Sequence, residues 1–403
     1  MDPEEILKEY ENEIIEISKK IYNFAELGSE EYKSSKLLNE SLKKHGFKVE
    51  QPYMNMDTAF RADYGSENPK VAFLAEYDAL PNGHSCGHNL IAAWAYGSAI
   101  VLSKIIKNGS VVVFGTPAEE GRGKYAGSKA IMADNGAFKD IDFVIGMHPD
   151  DKWRVGGKAL ADITIEIIVK GKASHMAADP DKGLNALDGA ILIYQGINNL
   201  RSRIKIDKHV VVGMIIREGG TASNVVPERA VLEVDLRSSS GEYLKNLLED
   251  VKKLARGICS GYGLTCEINK ITPFYENYVS NRVIDKILFD ELKSMGIRAE
   301  NYDEIVSPGF GSTDEANVSK VVPTGHIDIK VGYEGIPAHT DEFRKAVDPE
   351  IAKDSLMKGI IAAVKTAKNI IENENLLKKV KNDFKKSITY ERNSQRLLHQ
   401  QKY

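Results

Sequence analysis

The 403-residue chain has only three cysteines, an odd number spread along its length, so no disulfide framework is expected and each thiol is read singly. No apolar run approaches the roughly 18 to 20 residues that a membrane-spanning helix needs. An excess of basic charge is missing too: 54 Lys and Arg stand against 58 Asp and Glu, a net charge of -4. That balance argues against a general nucleic-acid binder and leaves small molecules or proteins as partners. The opening segment MDPEEILKEYENE is acidic, unlike a signal peptide, and a cytoplasmic, membrane-free protein is expected. No internal repeat is evident. What is present is ordinary for a soluble globular protein, with 42% hydrophobic and 28% charged residues. Two domains are expected over one, because single cores rarely grow beyond about 250 to 300 residues.

Apolar residues at helical spacing (Ile6, Ile14, Ile17, Ile21; then Leu37, Leu38, Leu42) predict amphipathic helices over 3–22 and 30–45, expected to be a cover and not a site. Short continuous apolar runs follow: VAFLA at 71–75, VVVFG at 111–115 and FVIGM at 143–147. Such runs suit strands buried on both faces. With helices expected over 87–107 and 124–135 they make a βαβαβ series and a parallel sheet. The pattern changes near Gly156-Gly157. Strand 160–170, helix 183–200, strands 209–217 and 229–237, helix 242–257 and strand 263–270 give the order βαββαβ, a ferredoxin-like unit. Its strands alternate, with Val231, Glu233 and Asp235 against Ala230, Leu232, Val234 and Leu236, which leaves one sheet face wet or paired with another subunit. After Thr272-Pro273 helix 281–295, strand 327–331 and a helix from 350 to about 371 resume the first pattern. The fold expected is therefore α/β: a mainly parallel-sheet catalytic domain, 1–156 with 274–403, carrying an inserted ferredoxin-like lid and dimerisation domain over 157–273. The basic tail from Asn375 is expected to be a solvated helix or a frayed end.

In open α/β sheets ligands bind outside the carboxyl ends of the strands. Strand 71–75 runs into Glu76-Tyr77-Asp78 and then Cys86-Gly87-His88; strand 111–115 into Glu119-Glu120; strand 143–147 ends at His148; strand 327–331 is followed by His339. Taken alone, Glu119-Glu120 reads as a solvated acidic pair, Cys86 as a small buried hydrophobe and His148 as a core histidine. The repetition at successive strand ends outweighs those readings. Thiolate, imidazole and carboxylate together suit Zn²⁺ or a similar divalent ion with a position left open for water. Neighbouring side chains point in different directions, so one glutamate can bind metal while the other acts as general base. His45, His209 and His399 lack such context and are read as structural, and Cys259 and Cys266 as packing residues.

The segments EYDALPNGHSCGHN (76–89), GTPAEEG (115–121), GMHP (146–149), KASHMAADP (172–180), GGTASNVVP (219–227) and PAHTDEF (337–343) resemble the amidohydrolase branch of the aminoacylase and glutamate-carboxypeptidase metallopeptidases. The likeness spans almost the whole chain, with its motifs in order. It implies a dinuclear centre, two zinc or manganese ions, held by Cys86, His88, Glu120, His148 and His339, with Glu119 as the base and Asp78 orienting a ligand. It assigns His175 to oxyanion stabilisation and Asn224 and Arg237 to holding the substrate, and it implies lids paired across a two-fold axis in a homodimer. Read from the sequence alone, Asn224 is turn chemistry and Arg237 a surface charge. The chain departs from the auxin-conjugate hydrolases of this branch, which carry an Asp and a second His after Cys-Gly-His where it has Asn89-Leu90-Ile91. With Glu76-Tyr77-Asp78, that makes it more similar to the subgroup of the second subunit of p-aminobenzoyl-glutamate hydrolase and the dipeptidases acting on Xaa-Arg or β-alanyl-lysine peptides.

The expected function is metal-dependent hydrolysis of an amide bond in a small N-acyl amino acid or dipeptide. Its rivals are a cysteine amidase with Cys86 as nucleophile and His88 or a spatial neighbour as base, and a non-enzymatic metal-binding protein on the same fold. The presence of Glu119, which a dead scaffold can lose without unfolding, argues against the last.

Overall fold

A computed structural model describes residues 2–204, 208–305 and 310–400. The chain divides into two compact units, one running to Lys158 and resuming at Tyr278, the other covering Ala159–Asn277 and taking in Phe310, Gly311 and Ser312.

The first unit opens with α1 (Pro3–Phe24), started by the Asp2 side chain on the Glu4 N–H and by Pro3 in its first turn, then α2 (Tyr32–Lys44). Next come β1 (Lys48–Glu50), β2 (Phe60–Tyr64), β3 (Lys70–Ala75), α3 (His88–Ile105), β4 (Ser110–Gly115), α4 (Ser128–Asp134), β5 (Phe143–Asp150) and β6 (Arg154–Val155). Helix α3 is apolar around its whole circumference, only Lys104 escaping burial, because α1 and a later helix pack on the sides that the sheet leaves open.

The second unit holds β7 (Ala161–Lys170), α5 (Ala186–Leu200), β8 (Val210–Glu218), β9 (Arg229–Ser238), α6 (Gly241–Gly261) and β10 (Thr265–Lys270). Its sheet runs β10-β7-β9-β8, antiparallel throughout. This is the ferredoxin-like order. Ile163, Ile165, Ile167, Leu232, Val234 and Leu236 form a fully buried face against α5 and α6, while Glu233 and Asp235 lie on the other, as their alternation predicts. Strand β8 is an edge that exposes Val211, Ile215 and Ile216.

The first unit then continues through α7 (Arg282–Ser294), β11 (Glu300–Asn301), α8 (Glu315–Ser319), β12 (Thr324–Lys330), α9 (Asp341–Ala346), α10 (Lys353–Glu372) and α11 (Glu374–Gln400). The sheet order is β1-β2-β4-β3-β5-β12-β6-β11. Its centre, β4-β3-β5-β12, is parallel, so β3, β4, β5 and β12 all point their carboxyl ends to one edge. Two features were not legible. β2 pairs antiparallel with β4, its FRADY sequence being too short and too polar to read as a buried strand. β5 continues through Asp150, which puts His148 inside the strand, opposite Asp328 of β12, and not just after it. The basic tail is a helix, α11; the side chain of His399 and all of Lys402 lie outside the described residues. No helix among the described residues is long and apolar enough to cross a membrane.

Gly87, between Cys86 and His88, caps α3 with φ +83°, and a Cβ there would lie 2.5 Å from Pro149 and 2.9 Å from Val347. We expect Gly87→Ala to lose about 2 kcal/mol or more through the strained backbone and the clash. A urea midpoint equal to wild type would show that the loop relaxes freely.

Candidate metal centre

Three overlapping sets of donor atoms, each within 4.8 Å of one another, occupy the carboxyl edge of the large sheet: Cys86, His88 and His148; Cys86, Glu120 and His339; and Glu76, His88 and Glu119. The loops after β3 and β4 leave together because the Thr116 N–H and hydroxyl both donate to the Ala75 carbonyl. The adjacent glutamates then part. Glu119 Oε2 lies 3.8 Å from His88 Nε2, whereas Glu120 Oε1 lies 3.5 Å from His339 Nε2.

Each imidazole is aimed by a partner on its other side. His88 Nδ1 donates to Asp78 Oδ1 at 2.9 Å, and Asp78 Oδ2 accepts the Glu120 N–H at 3.2 Å, so one buried carboxylate orients one donor and holds the loop of another. His148 Nδ1 donates to the Pro149 carbonyl, which turns Nε2 to within 3.4 Å of Cys86 Sγ. His339 has φ +64°, a left-handed conformation, and its N–H donates to the Ser85 carbonyl at 2.9 Å. More than half of its side chain is exposed, so the centre opens to solvent on that side.

The charges are mutually dependent. Burial works against a Cys86 thiolate, yet His148 and His88 hold the thiol well below its ordinary range. Burial likewise opposes protonation of the two imidazoles, but Asp78 and Cys86 lift His88 well above the usual value and Cys86 lifts His148 to about 10. Burial and then the Cys86 thiolate push Glu120 up to about 7, and burial and then Glu76 push Glu119 well up. Protons are thus retained where anions converge out of water. Glu76 Oε2, His88 Nε2 and Glu120 Oε1 are all buried without a hydrogen-bond partner. Orphaned nitrogen and oxygen donors around a thiolate fit a divalent ion, which replaces those protons on binding.

Several supporting residues escaped the sequence. The α1–α2 segment is more than a cover: buried Glu31 accepts the Ala118 and Ser29 N–H groups and the Thr58 hydroxyl, bracing the loop that carries Glu119. Burial, and then Asp78, raise its carboxyl to about 7. The Asn89 amide, where the auxin-conjugate enzymes have Asp, donates to Ser18 and to the Val347 carbonyl and so ties α3 to α1 and α9. Glu76 lay in a motif with no role assigned, and Lys129 in none. His45 is structural, set between Tyr10 and Tyr96 and 3.2 Å from Glu13.

The lid residues are described within their own unit. His175 pairs with Val225, and the Met176 N–H donates to the Asn224 carbonyl, so His175 and Asn224 share one loop pair. His175 Nδ1 accepts the N–H groups of Ala177 and Ala178 at 3.3 and 3.2 Å. Arg237 stands opposite Asp162 on β7, with its nitrogens 3.6 Å from Asp162 and 3.1 Å from Asp235. It is not a lone surface charge. Burial and Asp235 raise Asp162 to about 7.

Residues 157–262 match the peptidase dimerisation domain. The chain is 32% identical to the Xaa-Arg dipeptidase of Mus musculus, over 83% of this chain and 79% of that protein. It is 29% identical to the second of the two p-aminobenzoyl-glutamate hydrolase polypeptides of Escherichia coli, over 78% of this chain and 70% of that protein. A solved structure from Bacillus subtilis, described as a dinuclear metal binding peptidase from the M20 family, aligns with TM-score 0.65 and 20% identity over 89% of this chain and 98% of that one, a likeness of fold.

Two substitutions probe the geometry. Asp78→Asn, which weakens the hold on the His88 ring, should lower Zn²⁺ affinity about 10- to 100-fold. Cys86→Ser should lower it further, because a hydroxyl is a poor ligand where a thiolate stood. Calorimetric titration of the metal-free proteins measures both, and an unchanged affinity for Cys86→Ser would remove that sulfur from the ligand set.

Proposed function

The chain belongs to the M20 peptidase family, whose members hydrolyse amide and peptide bonds, and we propose that its own reaction is metal-dependent cleavage of a dipeptide or small N-acyl amino acid. The observation that carries this reading is the parting of Glu119 from Glu120, which leaves one carboxylate among the donor atoms and the other facing the same corner from the His88 side. Two divalent ions, zinc or manganese, held by Cys86, His88, Glu120, His148 and His339, would supply the Lewis acidity that polarises the scissile carbonyl and acidifies water. Glu119 takes the proton of the attacking water on its carboxylate and passes it to the leaving amine. Its raised proton affinity suits both halves of that transfer.

In the lid, His175 is assigned to the developing oxyanion. With Nδ1 accepting backbone N–H groups, the neutral ring carries its proton on Nε2, which is then a donor. Asn224 and Arg237 are assigned to the substrate, the Arg237 fork to its carboxylate, with Asp162 and Asp235 holding the guanidinium in place. The dimerisation domain supports a homo-oligomer paired through the lid, and the likeness to an Xaa-Arg dipeptidase makes basic dipeptides the first substrates to try. A cytoplasmic setting and the absence of nucleic-acid or membrane partners complete the reading.

One contact favours a second reading. Cys86 Sγ beside His148 Nε2 at 3.4 Å is also the arrangement of a cysteine nucleophile with its base. Chelation separates the two: activity should vanish with a chelator and return with Zn²⁺, Mn²⁺ or Co²⁺, whereas a thiol nucleophile would keep turning over. The assay is a hydrolysis screen of basic dipeptides, N-acyl amino acids and p-aminobenzoyl-glutamate. In the same assay Glu119→Gln should keep its metal content and lose about 10²- to 10⁴-fold in kcat. Loss of metal with turnover retained would exchange the roles of the two glutamates.

A further inference from the structure

Beneath the centre lies a lysine with no exposed surface. Lys129, in the first turn of α4, places Nζ 2.8 Å from Glu76 Oε1 and 2.6 Å from Asp314 Oδ1, and its backbone N–H donates to Asp314 Oδ2 at 2.9 Å. Gly127, the residue before α4, has no side chain to cap the helix, so the Asp314 carboxylate does so from a position 185 residues further along the chain. Asp314 therefore spends both oxygens on one lysine and is fixed at two points. Glu76 is different. One of its oxygens meets the ammonium, while the other, buried and without a hydrogen-bond partner, lies 3.4 Å from His88 Nε2 and within 4.8 Å of a Glu119 oxygen.

An ammonium held out of water ordinarily loses its proton. Here burial is overcome by Asp314, Glu76 and Glu119, which hold Lys129 well above the usual lysine value. The same three carboxylates would repel one another without it. Glu119 has no side-chain anchor of its own among the described hydrogen bonds, so its place beside His88 depends on what occupies the rest of the corner.

We propose that Lys129 is a positioning residue for the hydrolytic reaction: its ammonium clamps Glu76 against the fixed Asp314, and Glu76 in turn holds the His88 ring and keeps the Glu119 carboxylate at its side. The inference rests on the hydrolase reading above, and the test separates the two. If wild-type protein shows no metal-dependent turnover, the reading fails; metal titration still tests the clamp.

Glu76→Gln keeps the side-chain shape and the Lys129–Asp314 pair, so it should fold. Lys129→Met alone strands two buried carboxylates and would unfold the protein or lower its Tm; Lys129→Met with Asp314→Asn restores the charge balance while leaving Glu76 unclamped. For both Glu76→Gln and the double variant we expect Zn²⁺ affinity of the metal-free protein to fall by about 10-fold, as for other residues that orient a metal ligand. We also expect kcat to fall by at least about 10-fold with KM changed by less than about 2-fold, the signature of a misplaced reacting group. A merely structural Lys129 predicts instead that the double variant recovers Tm, affinity and kcat together, and that result would overturn the proposal. Wild-type affinity and kcat in Glu76→Gln would overturn it as well, by removing the residue through which Lys129 acts.

Discussion

Gathering the Cys86 thiolate and the carboxylates of Glu76, Asp78, Glu119 and Glu120 in a corner largely closed to water costs several kcal/mol per ion unless positive charge meets them. The protein supplies that charge at two levels. Protonated imidazoles from His88, His148 and His339 stand among the anions, in positions a divalent ion would take over, and the Lys129 ammonium stands beneath them as a permanent counter-ion. The upper layer is exchangeable and the lower one is not. That division suits a centre that must bind and keep metal without collapsing when the metal is absent.

The parallel core of the large sheet makes the gathering possible. Because β3, β4, β5 and β12 run the same way, residues that are far apart in sequence leave the sheet at the same edge, and each loop needs only a few positions to reach its neighbours. The loops are held by unusual backbone at the places where donors must turn inward: Gly87 before α3, Ala118 before Glu119 and His339 itself all have positive φ. Such conformations persist only where the surroundings over-determine them. Glu31 does this for Ala118, and the Ser85 carbonyl for His339.

The inserted unit follows a different logic. Its antiparallel strands bury one face against α5 and α6 and keep charges on the other, so Arg237, Asp235 and Asp162 meet across β7 and β9 as a compact network, not as scattered surface charges. An edge strand that exposes Val211, Ile215 and Ile216 is a hazard in a monomer and an asset in an oligomer, in keeping with the match to a dimerisation domain.

Much of this was legible in the residues. Continuous apolar runs identified the central strands, period-two alternation identified the lid strands, and the thiol, imidazole and carboxylate groups following those strands marked the centre, because hydrophobic periodicity and ligand chemistry are local properties of a sequence. Asp78, Cys86, His88, Glu119, Glu120, His148 and His339 could be named before any fold was known. The division of labour among them could not. Which glutamate faces His88, that Glu31 in a supposed covering segment braces the catalytic loop, and that Lys129 in a helix of ordinary composition is a buried counter-ion for Glu76 and Asp314 depend on neighbours brought together only by the order of strands in the sheet. A lysine reads as a solvated charge in any local window; only the packed interior, where unpaired charge is intolerable, reveals which carboxylates it was placed to meet.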